Sequence, residues 1–323
     1  MVEKKIKVYN LILEKIKKSK NIALISHKNP DIDTLSSRIS FYEMINLNFN
    51  QKEIDLICVA QIPIKYNFLI NTDKFKSNFN PSKYDLIIFF DSGSKTQTGF
   101  DLKYETLFDK KTFNTISIDH HITNEIYAKQ NILNTTYSST TMIIYEIFLL
   151  TNLKINKNIA TSLLAGIYTD TGGFKHSNTT NITYFMAGKL LKLGADYNLI
   201  VDKFFKNNSL STIKLWGKVI SESFIDEENI LYSYVNKSMI DSYNSSYEDV
   251  SGVVDHLNTT SGIKYCSLFT QKGEFVKASL RTLRDDIDLT LIAKKYNGGG
   301  HKKASGFTTK GQALLSSNFK IID

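Results

Sequence analysis

The sequence predicts an α/β protein with two domains. Through residue 197, short apolar runs alternate with helical patterns, an order typical of a doubly wound, mostly parallel sheet. From residue 227 the strand patterns follow one another more closely, which indicates a smaller α/β domain with a mixed sheet. We therefore predict domains at 1–197 and 227–323, joined by a helical linker at 198–226.

Composition supports a globular protein and excludes several other classes. The chain has 323 residues, of which 42% are hydrophobic and 22% charged, and it is long enough for two cores. Its two cysteines lie far apart, so neither a disulfide framework nor a cysteine-based zinc site is expected. The N-terminus lacks a signal-peptide pattern and no apolar run could span a bilayer, so we expect a cytoplasmic protein without a membrane partner. The net charge of +8 comes from scattered lysines and predicts a solvated basic surface rather than a dedicated nucleic-acid face.

The predicted elements of the first domain follow a regular order. Apolar periodicity predicts a helix at residues 3–19. The predicted strands are Ile22–Ile25, Ile54–Val59, Asp85–Phe90 and Thr115–Ile118. Further helices are predicted after Asp33, at Ser139–Leu150, through Ala160 to Ile167, and at 180–193. The almost entirely apolar run at Asp85–Phe90 is expected of a central parallel strand that is covered on both faces.

The second domain is predicted from a different pattern. The helical pattern of the linker extends to Ser223 and carries the single tryptophan, Trp216. Strands are predicted at Ile230–Val235, Gly262–Thr270 and Glu274–Leu280, with helices near Ser245–Leu257 and Asp288–Lys295. This order of strands and helices predicts the mixed sheet.

Acidic and imidazole side chains follow the ends of buried elements throughout the first domain. They are His27, Asp31, Asp33, Asp91, His120 and Asp170. Asp31 and Asp33 stand two residues apart and repel each other unless a cation lies between them. Carboxylates with a minority of imidazoles suit Mn²⁺ or Mg²⁺, and the histidines favour Mn²⁺.

Each of these residues alone has an ordinary explanation as a helix cap, a turn residue or a surface histidine. Their repetition at the ends of four segments favours a metal site. Six ligands suit two ions that share a carboxylate, an arrangement that promotes phosphoryl displacement with a bridging hydroxide as the nucleophile.

A glycine run in the second domain is the other candidate site. Gly298, Gly299 and Gly300 precede His301. Consecutive glycines let backbone N–H groups surround an anion, and His301 could donate to a terminal phosphate or stack on a base. A flexible loop is the alternative explanation of the run.

Five ordered segments resemble the motifs of the DHH phosphoesterases and of the DHHA1 domain that follows the DHH domain in one subfamily. They are His27–Asp33, the strand ending in Asp91, Asp119–His121, Gly166–Gly172 and Gly298–Phe307. The most similar layouts are those of nanoRNases that also dephosphorylate 3′-phosphoadenosine 5′-phosphate (PAP), and of cyclic-di-AMP phosphodiesterases.

The resemblance implies roles for individual residues. One ion would be held by His27, Asp31 and Asp91, and a second by Asp33, Asp91, His120 and Asp170. Asp119 would orient a histidine, and His121 would face the scissile phosphate. Arg281 would grip a phosphate in the second domain, near the glycine run. Ser305 stands where the family usually has alanine.

The resulting hypothesis is a phosphodiesterase with two Mn²⁺ ions, or Mg²⁺ or another divalent ion in their place. It would cleave short oligonucleotides or dinucleotides, including nanoRNA, pApA and cyclic-di-AMP, to 5′-mononucleotides in a cleft between the domains. Long duplex DNA is not an expected substrate, and a homodimer is left open. The alternatives are a phosphomonoesterase acting on PAP, a polyphosphatase, and a non-catalytic nucleotide-binding regulator.

Overall fold

The computed structural model describes residues 2–205, 208–250, 252–314 and 320–322. The chain divides into two compact units, Met1–Asn207 and Asn208–Asp323. The predicted linker at 198–226 spans this boundary, and the proposed limits of the linker remain a prediction. No described helix is both long enough and apolar enough to cross a membrane.

The N-terminal unit is built from parallel strands and helices. Its helices are α1 (Val2–Lys18), α2 (Ile32–Asn48), α3 (Lys95–Thr98), α4 (Thr140–Leu150), α5 (Lys157–Asp170), α6 (Asn181–Lys192) and α7 (Tyr197–Phe205). Its strands are β1 (Asn21–Ser26), β2 (Glu53–Ile57), β3 (Phe75–Lys76), β4 (Leu86–Phe90), β5 (Thr115–Asp119) and β6 (Gln130–Leu133). They form one sheet in the order β3-β2-β1-β4-β5-β6, and every neighbouring pair is parallel. The predicted parallel sheet is confirmed.

Both faces of this sheet are buried, which explains the apolar runs. Successive side chains of a strand point to opposite faces. In β4, Leu86, Ile88 and Phe90 join a large core with α1, α2, α4 and α5. Ile87 and Phe89 join a second core, on the other face, with aromatic residues between 79 and 127. A strand with two buried faces is mostly apolar, and the ionisable residues that follow it lie at the edge of the sheet.

The C-terminal unit has a mixed sheet, as predicted. Its helices are α8 (Leu210–Ser221), α9 (Lys237–Ser242), α10 (Val253–Leu257) and α11 (Leu289–Lys294). Its strands are β7 (Phe224–Ile225), β8 (Ile230–Val235), β9 (Tyr265–Lys272), β10 (Phe275–Arg281), β11 (Gly299–His301), β12 (Ala304–Lys310), β13 (Gln312–Leu314) and β14 (Lys320–Ile322). The main sheet has the order β11-β12-β10-β9-β8-β7, with β8 and β9 parallel and the other pairs antiparallel.

One helix of this unit differs from the sequence prediction, and another lies within the predicted linker. The helix predicted near Ser245–Leu257 is shorter, because Gly252 has a left-handed φ of 100° directly before α10. Helix α8 carries Leu215 and Val219 into the core of the C-terminal unit. The indole of Trp216 donates to the backbone oxygen of Asp249, at 2.6 Å. This helix therefore packs as an integral part of the unit.

Candidate active site

Strand register brings the predicted site residues of the N-terminal unit to one edge of the sheet. Ser26 of β1 pairs with Phe90 of β4, and Phe90 pairs with Ile118 of β5. The three strands therefore end at the same level, the usual position of sites in open α/β sheets. The residues that come next along them are His27, Asp91 and Asp119.

The loop between β1 and α2 supplies a first group of candidate ligands, which contains His27, Asp31 and Asp91. One donor atom from each lies within 4.8 Å of the others. Asp31 is the N-cap of α2, and its Oδ1 accepts a hydrogen bond from the backbone N of Thr34 at 2.9 Å. Its other oxygen, Oδ2, lies 3.9 Å from Nε2 of His27. Capping thus fixes the carboxylate while it leaves one oxygen directed toward the histidine.

A second group contains Asp33, His120 and Asp170, again with donor atoms within 4.8 Å of one another. Nε2 of His120 lies 3.5 Å from Oδ2 of Asp170 and 3.6 Å from Oδ1 of Asp91. Oδ2 of Asp91 lies 3.8 Å from Nε2 of His27, in the first group. The two oxygens of Asp91 thus face different groups, which is the geometry of a carboxylate shared by two cations.

Asp91 has an unusual backbone conformation. It follows β4 with a left-handed φ of 52°, a conformation that Asp tolerates better than most residues. Its side chain is 3% exposed. Burial would raise the pKa of Asp91, but the imidazoles of His121, His120 and His27 outweigh burial and lower it to about 2.

The N-terminus of α4 orients Asp33. Oδ2 of Asp33 accepts from the backbone N of Thr140 at 2.8 Å. Its Oδ1 accepts from the backbone N and from the hydroxyl of Thr141, at 3.1 and 2.6 Å. The hydroxyl of Thr140 also donates to Oδ1 of Asp91, at 3.0 Å. One helix terminus therefore positions a carboxylate of the second group and the shared carboxylate, with support from the helix dipole.

Close packing of α5 against this arrangement requires a glycine. A Cβ atom on Gly166 would lie 2.5 Å from Oδ1 of Asp33 and 2.5 Å from Oγ1 of Thr141. Such distances are too short for any side chain, so a glycine inside this helix lets α5 approach the site. Asp170 lies one turn further along α5, at its last residue.

The two adjacent histidines have different surroundings. Nδ1 of His121 lies 2.7 Å from Oδ1 of Asp119. Asn124 donates to the other oxygen of Asp119. His120 instead directs Nε2 toward Asp91 and Asp170. The contact with Asp119 thus holds Nδ1 of His121 and fixes the orientation of the ring.

The charges of the site explain why its acids need a cation. Burial, and next the charge of Asp91, raise the pKa of Asp33 well above its usual value. Burial, and next the charge of Asp33, do the same for Asp170. Burial lowers the pKa of His121, but the hydrogen bond to Asp119 and the neighbouring carboxylates outweigh burial and raise it to about 9.

The donor set therefore fits hard or borderline divalent cations. Carboxylate oxygens dominate, imidazole nitrogens are the minority, and the groups of candidate ligands found among the described residues contain no thiolate. Buried acids with raised pKa values bind protons when no cation is present, and a divalent cation would keep them ionised.

Three of the predicted substrate residues line one cavity in the C-terminal unit. This cavity, of about 370 Å³, is lined by Arg281, Gly299 and Ser305 together with Lys277 and other residues. Nε of Arg281 donates to Oδ1 of Asp255 at 3.1 Å, and its Nη1 donates to its neighbour's backbone oxygen. The cavity thus contains a positioned guanidinium, a group suited to phosphate.

The glycine run has a structural explanation that the sequence did not suggest. Residues 299–301 form strand β11, which pairs with β12. Gly300 has a φ of 136°, and a Cβ there would lie 2.5 Å from the backbone oxygen of Ala304. Gly298 is equally crowded, whereas Gly299 faces open space. The glycines permit close pairing of two strands, and the roles of the run and of the exposed His301 in anion binding stay predictions.

Sequence reasoning missed the hydroxyl and amide groups that hold the acids. The sequence predicts Ser139 or Thr140 as a helix cap and Thr34 as part of a helix, and it assigns no contact with the acids to Thr34, Thr140, Thr141 or Asn124. Short polar residues at a helix N-terminus are the signal that could have drawn attention to Thr140 and Thr141, but it does not identify the acid that they bind.

Comparison with known protein families identifies both units. Residues 21–167 match the model of the DHH family, N-terminal domain, and residues 227–322 match that of the DHHA1 domain. Two similar relatives come from Mycoplasma genitalium, and each is 27% identical to this chain over 311 residues. One is named an uncharacterized protein, and the match covers 96% of this chain and 93% of the relative. The other is named bifunctional oligoribonuclease and PAP phosphatase NrnA, with 95% and 92% covered.

A solved structure agrees with the fold. The crystal structure of an exopolyphosphatase-related protein from Bacteroides fragilis has a TM-score of 0.85 and is 21% identical in sequence. The superposition covers 95% of this chain and 92% of that chain. The likeness therefore extends over both units.

Proposed function

The chain belongs to the DHH family and carries a DHHA1 domain, and on this premise we propose that it is a manganese-dependent phosphodiesterase of short oligonucleotides and dinucleotides. Its membership of the family makes it a metal-dependent hydrolase, which confirms the predicted enzyme class. The proposed substrates are nanoRNA, pApA and cyclic-di-AMP, and the proposed products are 5′-mononucleotides. The naming of similar relatives as oligoribonucleases supports this substrate class.

The shared position of Asp91 is the observation that carries the proposal. Its two oxygens face two separate groups of candidate ligands, at 3.8 Å from His27 and 3.6 Å from His120. We assign His27, Asp31 and Asp91 to one ion, and Asp33, Asp91, His120 and Asp170 to the other. Two bound divalent ions would polarise the phosphoryl group and lower the pKa of an attacking water.

The protein's own groups would bind the substrate and move protons. Asp119 holds His121 through Nδ1, so the opposite nitrogen can donate to a phosphate oxygen or to the leaving oxygen. Against the effect of burial, the hydrogen bond to Asp119 and the neighbouring carboxylates raise the pKa of His121 in the metal-free site, and a protonated His121 would act as this donor. We assign Arg281, the glycine run, His301 and Ser305 to binding a second phosphate of the substrate.

A phosphatase acting on PAP is the second candidate function. The name of a relative with 27% identity joins this activity to that of an oligoribonuclease. The two activities release different products from related substrates, since a phosphatase releases inorganic phosphate whereas a phosphodiesterase releases a mononucleotide.

Turnover with Mn²⁺ tests both candidates. The purified protein is incubated with pApA, cyclic-di-AMP, short RNAs and PAP, and mononucleotide and inorganic phosphate are measured. We expect mononucleotide from at least one of the first three substrates. Asp33→Asn should abolish this release, whereas Asp73→Asn, which alters an exposed carboxylate outside the site, should not. If PAP were the only substrate turned over, with release of inorganic phosphate, the result would support the phosphatase and contradict the phosphodiesterase. If no substrate were turned over, both proposed functions would be refuted.

A further inference from the structure

The hydroxyl of Thr34 lies among three of the candidate ligands. Its Oγ1 is 2.6 Å from Nε2 of His27, 2.8 Å from Oδ1 of Asp31 and 2.7 Å from Oδ2 of Asp91. Thr34 is fully buried in the first turn of α2. Threonines inside helices commonly turn their hydroxyl to a backbone oxygen of the preceding turn. This one points instead at the first group of ligands.

The single proton of the Thr34 hydroxyl cannot serve all three contacts. A hydroxyl carries one proton and donates once. Its Oγ1 nevertheless lies within 2.8 Å of a donor atom from each of three candidate ligands, two of them carboxylate oxygens. Oxygen and nitrogen donors that converge in this way are typical of groups that share one cation.

We propose that Thr34, through Oγ1, is a fourth protein ligand of the ion that His27, Asp31 and Asp91 would hold. The inference rests on the proposed metal-dependent function and adds to it a residue for which the family resemblance implies no role. Threonine hydroxyls bind Mg²⁺ in phosphate-binding loops, so the chemistry is ordinary for this cation class. A further oxygen ligand favours six-coordinate Mn²⁺ or Mg²⁺ over four-coordinate Zn²⁺.

The neighbouring structure holds the hydroxyl in place. The backbone N of Thr34 is bonded to the capping oxygen of Asp31, at 2.9 Å. Its backbone oxygen accepts from Nε of the buried Arg38, at 3.3 Å. Since Thr34 is bonded through both backbone groups and has no exposed surface, its hydroxyl is a preorganised ligand rather than a mobile one.

Metal titration without substrate tests the proposal. Thr34→Ser keeps the hydroxyl, and Thr34→Val replaces it with a methyl group of similar size. Each metal-free protein is titrated with Mn²⁺, free Mn²⁺ is measured by electron paramagnetic resonance, and water-proton relaxation reports the waters on the bound ion. We expect the serine variant to match the unaltered protein. The valine variant should lose at least about 10-fold in affinity for one ion, since the loss of an indirect partner of a metal ligand already costs about 10–100-fold, and it should gain a water on that ion.

Thr140→Val is the matched control. The hydroxyl of Thr140 contacts Asp91 alone, at 3.0 Å, so its removal can weaken binding but should add no water to the ion. Thr34→Ala is measured beside Thr34→Val, so that a folding defect of the valine variant does not decide the outcome. Unchanged affinity and relaxation in Thr34→Val and Thr34→Ala would overturn the proposal, as would an equal gain of water in Thr140→Val. A protein that binds no Mn²⁺ would overturn the proposed function as well, whereas an incorrect substrate assignment would leave this titration unaffected.

Discussion

Gly166→Ala tests the packing that brings α5 to the metal site. In an ordinary helix interior this change stabilises a protein by about 0.5–1 kcal/mol, because alanine restricts the unfolded chain. At Gly166 the new Cβ would lie 2.5 Å from both Oδ1 of Asp33 and Oγ1 of Thr141. Normal contacts of carbon lie at about 3.5–4.0 Å, so these oxygens would have to move by about 1 Å.

Two costs follow from this displacement. Overpacking a well-packed interior costs about 1–3 kcal/mol. The hydrogen bond from Thr141 to Asp33, 2.6 Å long, would also be strained, and a hydrogen bond between neutral groups contributes about 0.5–1.5 kcal/mol. After subtraction of the helix gain, we expect a net loss of roughly 0.5–4 kcal/mol in the free energy of unfolding. A displacement of about 1 Å at Asp33 should lower the rate of hydrolysis by about 10²-fold.

Gly188→Ala provides the control for this comparison. Gly188 lies inside α6, and a Cβ there would meet nothing within 4 Å, so this variant should be slightly more stable and fully active. Urea unfolding of the metal-free proteins and hydrolysis of pApA with Mn²⁺ measure the two effects. If Gly166→Ala were as stable and as active as Gly188→Ala, the close contact with Asp33 would be wrong.

Two further changes test other parts of the fold. Glu146 accepts hydrogen bonds from a lysine and two tyrosines, so Glu146→Gln should cost about 1.5–3 kcal/mol at neutral pH in urea unfolding. Burial would raise the pKa of Glu146, but these bonds hold it below 4.5 in the folded protein. Their contribution to the free energy of unfolding is therefore present above pH 4.5 and is lost as the pH falls through the lower pKa of the folded protein. If the stability of the unaltered protein and of the variant depended equally on pH in the acidic range, this role of Glu146 would be contradicted. In the C-terminal unit, Gly300→Ala should lower the thermal midpoint because its φ is 136°, whereas Gly299→Ala has open space and should not. Equal midpoints for these two variants would refute the crowding at Gly300.

The sequence predicted the residues of the site that directly follow a strand, because their positions depend only on where that strand ends. These buried strands are mostly apolar, so His27, Asp91 and Asp119 stand out as the first ionisable residues at their carboxyl ends, and parallel strands bring them to one edge. This argument required only periodicity and the geometry of parallel sheets.

The remaining features depend on contacts between distant segments. Thr140 and Thr141 bind Asp33 across more than 100 residues of chain, and a local pattern cannot identify such a partner. The same limit applies to the glycine run, for which the sequence predicted an anion nest or a flexible loop but no strand pairing; the nest stays a prediction. A glycine is required at position 300 because β12 lies too close to accommodate a Cβ atom, and this contact exists only in the folded sheet.

The backbone conformation at Asp91 determines which variant can trap a substrate. Its φ of 52° suits aspartate, asparagine and glycine, whereas most other residues are strained there by about 1–3 kcal/mol. Asp91→Ala would therefore combine the loss of a charge with a distorted turn after β4. Asp91→Asn keeps the turn and the shape of the side chain while it removes the charge. For co-crystallisation with an uncleaved dinucleotide, asparagine is thus the replacement that preserves the architecture of the site.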